Sequence, residues 1–439
     1  MDLVAALLDP RAYPEMTMVR YWVEGEGVTG FRVRGEVQST SPDLRLFAHQ
    51  GCGGPEDFQG NFFDLNATCA RSGKQLPVSN PRPGEWQVDG TSGPVRFTYT
   101  VRLPPPPEDF SSYLQGWRGN GRAFFLGLAL FLAVEDREAH YRIHFSEPAY
   151  ASCPEKRGEF FCAGRRELFL SAFGQGPYRR RVAQSGKHDL VLIQEETCPV
   201  QWEGLIPHLT TMLSHLLDLF GQAPFRQLTF FLFAGKAGDE TEIGSGLAIP
   251  GGVLLTFPCQ SAPANHPRHL WLALHEFLHQ WLGMDLRAGE PGLEWFFEGF
   301  TCFFTLALLE RGGWADPAYV GTVLQRNRSA YLAAAQELVG SPNPPPALSV
   351  EFDYHFHGGF FLARLWDRDL RQAHSGGLTA WMKEFYMGYR GRCFDAASLL
   401  AALKATAPGG RLPDYFPAFL NREQLLPLEQ AATSGGEGD

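Results

Sequence analysis

The spacing of apolar positions along the chain changes near residue 190. In FRVRGEV, Phe31, Val33 and Val37 alternate with Arg32, Arg34 and Glu36; in VRFTYTV, Val95, Phe97, Tyr99 and Val101 alternate with Arg96, Thr98 and Thr100. A period of two marks strands with one buried face. Turn-forming clusters (GCGGPEDFQG, NPRPGE, DGTSGP) punctuate these segments, and Pro104 to Pro107 interrupt the pattern before the apolar run AFFLGLALFLAV, Ala123 to Val134. That run has 12 residues, short of the roughly 20 that cross a bilayer as a helix, and reads as buried sheet. Residues 1–190 are therefore expected to form an antiparallel, β-sandwich-like domain.

From Pro199 to Phe220 the apolar residues Trp202, Leu205, Ile206, Leu209, Met212, Leu213, Leu216, Leu217 and Phe220 recur every three or four positions, the mark of an amphipathic helix. RQLTFFLFAG follows as a buried strand and GSGLAIPGGVLLTF as a glycine-punctuated strand or hairpin, after which helical periodicity dominates. Residues 191–335 form the expected central domain and 336–430 a helical domain entered through SPNPPPALS (Ser341 to Ser349), with 431–439 a disordered tail. There is no internal repeat. The expected class is α+β and multidomain.

Composition narrows the function classes. The chain of 439 residues is 44% hydrophobic and 20% charged, sufficient for two or three domains with substantial cores. A formal net charge of -10 with no basic cluster longer than YRRR (Tyr178 to Arg181) argues against nucleic-acid and anionic-membrane partners. MDLVAALLDP lacks the basic region, long apolar stretch and cleavage site of an export signal. A soluble protein is expected, cytoplasmic or exported with its signal removed, with no membrane insertion; compartment and oligomeric state stay open. The eight cysteines show no CxxC, and buried free thiols are the expected reading, although Cys153 and Cys162 bracket a turn-like PEKRGEFF. Asn66 and Asn327 lie in weak N-x-S/T patterns.

One stretch carries chemistry. In HPRHLWLALHEFLHQWLG, Pro267 suits the first turn of a helix and Gly283 its end. At 3.6 residues per turn, His275 and His279 share a face about 6 Å apart along the axis, so both imidazoles can reach one ion at about 2.0–2.1 Å. Glu276 points beside that face, placed to deprotonate a zinc-bound water without ligating the metal. A helix that merely contains two histidines remains the plainer alternative. A catalytic zinc needs a third protein ligand, and PGLEWFFEGFTCFFTLALLE offers Glu298 among Phe296, Phe297, Phe300, Phe303 and Phe304, where an unpaired carboxylate would cost several kcal/mol. Glu294, one turn earlier, is either a partner to an imidazole N–H or an exposed helix-start acid.

The pattern HExxH, eighteen residues, then glutamate within WFFEGF resembles the gluzincin metallopeptidases: the aminopeptidase N group and, more closely, the glycyl aminopeptidase family. HEFLHQW, LEWFFEGFTCFF, LALLERGG, APFRQLTFFLF, GKQLPVSNPRPGEWQVDGTSGPVRFTYTV, RAFFLGLALFLAVE and GGFFLARLWDRDLRQAHSGG carry the likeness over most of the chain. It implies an N-terminal β-domain, a thermolysin-like catalytic domain and a helical C-terminal domain. It also implies one zinc ion per chain on His275, His279 and Glu298, Glu276 as general base, and hydrolysis of a peptide substrate, aminopeptidase action first. Two departures stand out. Where the family has a glutamate for the substrate's α-amine, this chain reads GSGLAIP with Ala248; Glu240 and Glu242 lie nearby, and the backbone of Gly244, Ser245, Gly246 and Leu247 remains suited to bind an extended peptide. Where the family has its oxyanion-binding tyrosine, the matching position is Phe356. Tyr354 is the expected donor, with His355 and His357 as alternatives. Missing both groups, the chain is alternatively an endopeptidase or tripeptidase, or a zinc-holding peptide-binding scaffold without turnover.

Overall fold

The computed structural model describes residues 17–39, 41–49, 58–106, 116–136, 139–235, 244–258, 263, 265–339, 348–373, 376–406 and 412–432. The chain divides into two compact units: Met1–Gln184 with His188–Pro199 and Gln227–Ser261, and Ser185–Lys187 with Val200–Arg226 and Ala262–Asp439.

In the first unit, β1 (Met18–Glu26), β2 (Gly30–Ser39), β3 (Phe62–Cys69), β4 (Gly93–Arg102) and β5 (His140–Phe145) are the long strands of an eight-stranded sheet, in the order β5-β1-β2-β4-β3. The alternation read from the sequence is the burial pattern: Phe31, Val33 and Val37 on β2 pair with Val101, Tyr99 and Val95 on β4, all of them buried. Neighbours among these strands are antiparallel except β1 and β5, which pair parallel. Two four-stranded sheets complete this β region.

The apolar run Ala123 to Val134 is buried throughout but is sheet only in part. Strand Arg122–Leu126 gives way to a 3-10 turn at Gly127–Ala129. Here Gly127 packs so tightly on the Leu168 carbonyl that an added Cβ would lie 1.8 Å from its oxygen. Beyond the turn the backbone finds partners in tyrosine side chains: Tyr99 Oη donates to the Leu130 carbonyl at 3.1 Å, and Tyr21 Oη donates to that of Leu132. Satisfying buried carbonyls this way lets the segment leave the sheet inside the core.

A second sheet of this unit contains β6 (Tyr178–Ser185), β7 (His188–Glu195), β8 (Gln227–Gly235), β9 (Ser245–Ile249) and β10 (Gly252–Pro258), in the order β6-β7-β8-β10-β9. Strands β7, β8 and β10 run parallel and are almost wholly buried, which is why they read as unbroken apolar runs. Strand β9 turns back antiparallel on β10 and forms the sheet's edge.

The second unit is helical: α1 (Trp202–Phe220), α2 (Pro267–Leu278), α3 (Glu294–Arg311), α4 (Pro317–Leu338), α5 (Leu348–Ala373), α6 (Gly377–Tyr389), α7 (Ala396–Thr406), α8 (Leu412–Leu420) and α9 (Leu428–Ala432). Helix α5 is its spine, packing on α3, α4 and α6, with Trp295 and Trp366 fully buried between them. The expected linker lies outside the described residues up to 347, and the expected tail does so from 433; α9 runs on to Ala432. No helix among the described residues is long and apolar enough to cross a membrane.

Candidate metal centre and active site

Helix α2 begins as its sequence suggests, with Pro267 in its first turn and the His266 ring accepting from the Arg268 N–H at 3.3 Å. It ends earlier than expected, at Leu278 instead of Gly283. The reason is a tightened last turn: Gln280 and Trp281 donate to carbonyls three residues back, Phe277 and Leu278, the 3-10 pattern common at helix ends. His279, the capping residue, keeps right-handed helical geometry (φ -60°, ψ -17°), so it stays one turn above His275 on the same face.

Three donor atoms converge. His275 Nε2 and His279 Nε2 are 3.2 Å apart, and Glu298 Oε2, from the first turns of α3, lies 3.4 Å from the former and 3.5 Å from the latter. Tetrahedral bonds of 2.0–2.1 Å place ligand atoms about 3.3–3.4 Å apart, so the triangle has the size a zinc ion requires. Its two nitrogens and one oxygen are zinc's usual donors, and among the described residues these three form the group able to hold a metal ion. Burial alone would lower the His279 pKa, but Glu298 beside it, helped by Glu276, lifts it to about 9. Glu298 is held far below the usual carboxylate range: burial opposes this, and the two imidazoles outweigh it. The site thus favours positive charge at its centre.

The imidazoles are oriented from behind. His279 Nδ1–H donates to the Leu282 carbonyl at 3.0 Å, which turns Nε2 toward the triangle. His275 Nδ1 lies 3.7 Å from Cys302 Sγ, and its ring stacks on Trp271 at 4.8 Å between centroids and 17° between planes. Neither Trp271 nor Cys302 was singled out from the sequence for this place. Helix spacing held the signal, since Trp271 precedes His275 by four residues and Cys302 follows Glu298 by four. Glu276 is buried at 8% exposure, within electrostatic reach of both His279 and Cys302. Glu294 is an exposed acid in the first turn of α3.

Two glycines set the crossing of α3 and α5 beside this site. A Cβ on Gly299 would lie 2.2 Å from the Gly359 carbonyl carbon, and one on Gly359 would lie 2.1 Å from the Trp295 carbonyl oxygen. Backbone therefore meets backbone one residue from Glu298. The close approach brings the Phe356 ring to 5.9 Å from that of His275.

The expected oxyanion donor needs correction. Tyr354 is fully buried, its hydroxyl donates to the Phe419 carbonyl at 3.0 Å, and its ring stacks on Phe419 at 4.9 Å and 9°. Two residues apart on a helix means about 200° of rotation; with Phe356 toward His275, Tyr354 faces away into the core. The alternatives His355 and His357 have neighbours of their own. His357 Nδ1 pairs with Asn327 Oδ1 at 2.5 Å, and His355 packs 6.3 Å from Phe419. Asn327 also donates to the Val323 carbonyl at 2.9 Å and is buried, unlike a glycosylation acceptor. In the first unit, Gly244 and Ser245 are exposed, Gly246 and Leu247 half-buried and Ala248 buried. Ser245 to Leu247 belong to edge strand β9, and Glu240 and Glu242 lie outside the described residues.

No family model matches the chain, and no curated protein sequence does. Solved structures do. An aminopeptidase N family protein from Idiomarina loihiensis superimposes with a TM-score of 0.80 at 20% identity, covering 94% of this chain and 78% of the other. An M1 zinc metallopeptidase from Deinococcus radiodurans, a mutant bound to a Tyr-Ser-Ala substrate, gives 0.59 at 17% identity over 94% and 95% of the two chains. A two-domain M1 zinc metallopeptidase mutant bound to L-tryptophan gives 0.61 at 16% identity with the same coverage. This chain shares the fold of these solved M1 zinc metallopeptidase structures.

Proposed function

We propose that this chain is a zinc-dependent metallopeptidase, one ion per chain on His275, His279 and Glu298, with residues 191–335 as its catalytic segment. The observation that carries the reading is the triangle of donor atoms, 3.2 to 3.5 Å on each side, with Glu276 buried next to it. Bound zinc supplies Lewis acidity, polarising a carbonyl and making water acidic near pH ~7. The protein's own part follows from the residues. Glu276, one residue round the helix from His275, takes the proton of the attacking water and returns it to the leaving amine. Leu282 and Cys302 keep the imidazoles turned inward. The edge of β9, Gly244 to Leu247, suits an extended peptide as an added strand.

Aminopeptidase action is the first choice, in keeping with the aminopeptidase N name of one structural relative. Ala248 favours a second reading on the same site, an endopeptidase or tripeptidase, because a buried alanine offers no carboxylate to a free amine. A third reading is a zinc-holding scaffold without turnover, favoured by the bonding of the Tyr354 hydroxyl to Phe419. A screen of peptide amides and their N-acetylated twins, with and without chelator, separates these. Chelator-sensitive cleavage of free-amine peptides alone is expected; equal rates on acetylated twins would remove amine recognition. Glu276→Gln should retain zinc and lose roughly 10²–10⁴ in kcat, whereas a wild type that binds zinc and cleaves nothing would leave the scaffold.

A further inference from the structure

We propose that the Phe352–Phe356 edge of α5 is a specificity shelf, receiving a large apolar and preferentially aromatic side chain of the peptide residue next to the scissile bond. The inference rests on the peptidase reading and names its substrate class.

The rings form a row leading to the metal ligands. Phe352 and Phe356 lie one turn apart on α5, which puts them on one face, and their rings are 5.4 Å apart at 31°. Phe356 in turn lies 5.9 Å from the His275 ring at 36°, and the His275 ring also stacks on Trp271. Exposure rises along the row: His275 is buried, Phe356 half-buried, and Phe352 is 55% exposed, while most other aromatic rings among the described residues are well covered. A lone exposed phenylalanine needs no explanation. One that continues an aromatic row to a candidate metal centre does, because such patches mark sites of ligand contact.

The Glu298 side chain keeps 29% of its surface exposed, and its Oε2 lies within 3.5 Å of both imidazoles. A carbonyl arriving there carries its flanking side chains within a few ångströms of the row. The row itself is apolar, so a polar side chain lying on it would lose water without a partner among these rings. An aromatic ring gains apolar burial together with offset or edge contacts to Phe352 and Phe356.

Two measurements test the shelf. Cleavage of peptide amides with Phe, Leu, Ala or Asp flanking the scissile bond is compared for the wild type, Phe352→Ala and Phe352→Leu. Binding of Phe-Ala amide and Ala-Ala amide to the zinc-loaded Glu276→Gln protein, with and without Phe352→Ala, is followed by calorimetry. Wild type should favour Phe over Ala on the order of tenfold in kcat/KM. That ratio should collapse toward one in Phe352→Ala and be partly restored in Phe352→Leu, with zinc content constant. Cleavage without aromatic preference, or a preference that survives Phe352→Ala, overturns the shelf. If nothing is cleaved, the peptidase reading fails separately and calorimetry decides. Tighter binding of Phe-Ala amide that depends on Phe352 supports the shelf, and equal binding of the two amides removes it.

Discussion

Single side chains in this protein are assigned by what their polar atoms already hold. The Tyr354 hydroxyl holds the buried carbonyl of Phe419, and burial raises its pKa. Tyr354→Phe should therefore act on stability, by about 1–3 kcal/mol for the orphaned carbonyl, and leave kcat unchanged; a large fall in kcat at constant thermal midpoint would return the tyrosine to the chemistry. His357 is a second case. Its side chain is 12% exposed, and burial, with Arg326 adding to it, lowers its pKa to about 4. Asp353 at 3.9 Å pulls the other way and loses, being 51% exposed. A depressed folded-state pKa means the stabilisation is complete above the unfolded value near 6.5 and is lost as pH falls from there to about 4. Between pH 6.5 and 5 the loss should be about 2 kcal/mol. Urea titrations of the wild type and His357→Asn across that range check it, since the variant should show a shallower decline.

Elements show which parts of the sequence were legible and why. Strands β2 and β4 were legible because one face is buried and period two survives unaltered. The pair His275 and His279 was legible because one helical turn converts a four-residue spacing into a shared face. The Gly127 turn was hidden: its cause is the Leu168 carbonyl, 41 residues further along the chain, and an apolar run does not reveal its own break. Tyr354 is the tyrosine nearest in sequence to the matching position Phe356, and two residues along a helix is about 200° around it. The crossing of α3 and α5 carries its own prediction. Gly299→Ala sets a Cβ 2.2 Å from backbone that no rotamer can relieve, and should cost about 3 kcal/mol of stability. Gly321, inside α4 with nothing within 4 Å of an added Cβ, is the control. Gly321→Ala should stabilise by roughly 0.5–1 kcal/mol through helix propensity. Paired thermal melts decide, and equal shifts would show that the crossing tolerates separation.

At the scale of the molecule, the fold is that of the M1 metallopeptidases although identity to the solved relatives is only 16–20%. Conserving a fold asks for burial patterns, glycine contacts and helix caps, and many sequences meet those demands. Chemistry asks for particular atoms, and here the donor atoms of His275, His279 and Glu298 stand together, while Ala248 and Phe356 stand where the sequence resemblance led to the expectation of a glutamate and a tyrosine. The proposed activity depends on a single ion held by His275, His279 and Glu298. The most direct measurement is anomalous X-ray scattering at the zinc edge from crystals of the zinc-loaded protein. The expected result is one peak per chain, about 2.0–2.2 Å from His275 Nε2, His279 Nε2 and a Glu298 oxygen, with one coordination position left to solvent. A peak ligated elsewhere, or none at this triangle in protein saturated with zinc, would contradict the account.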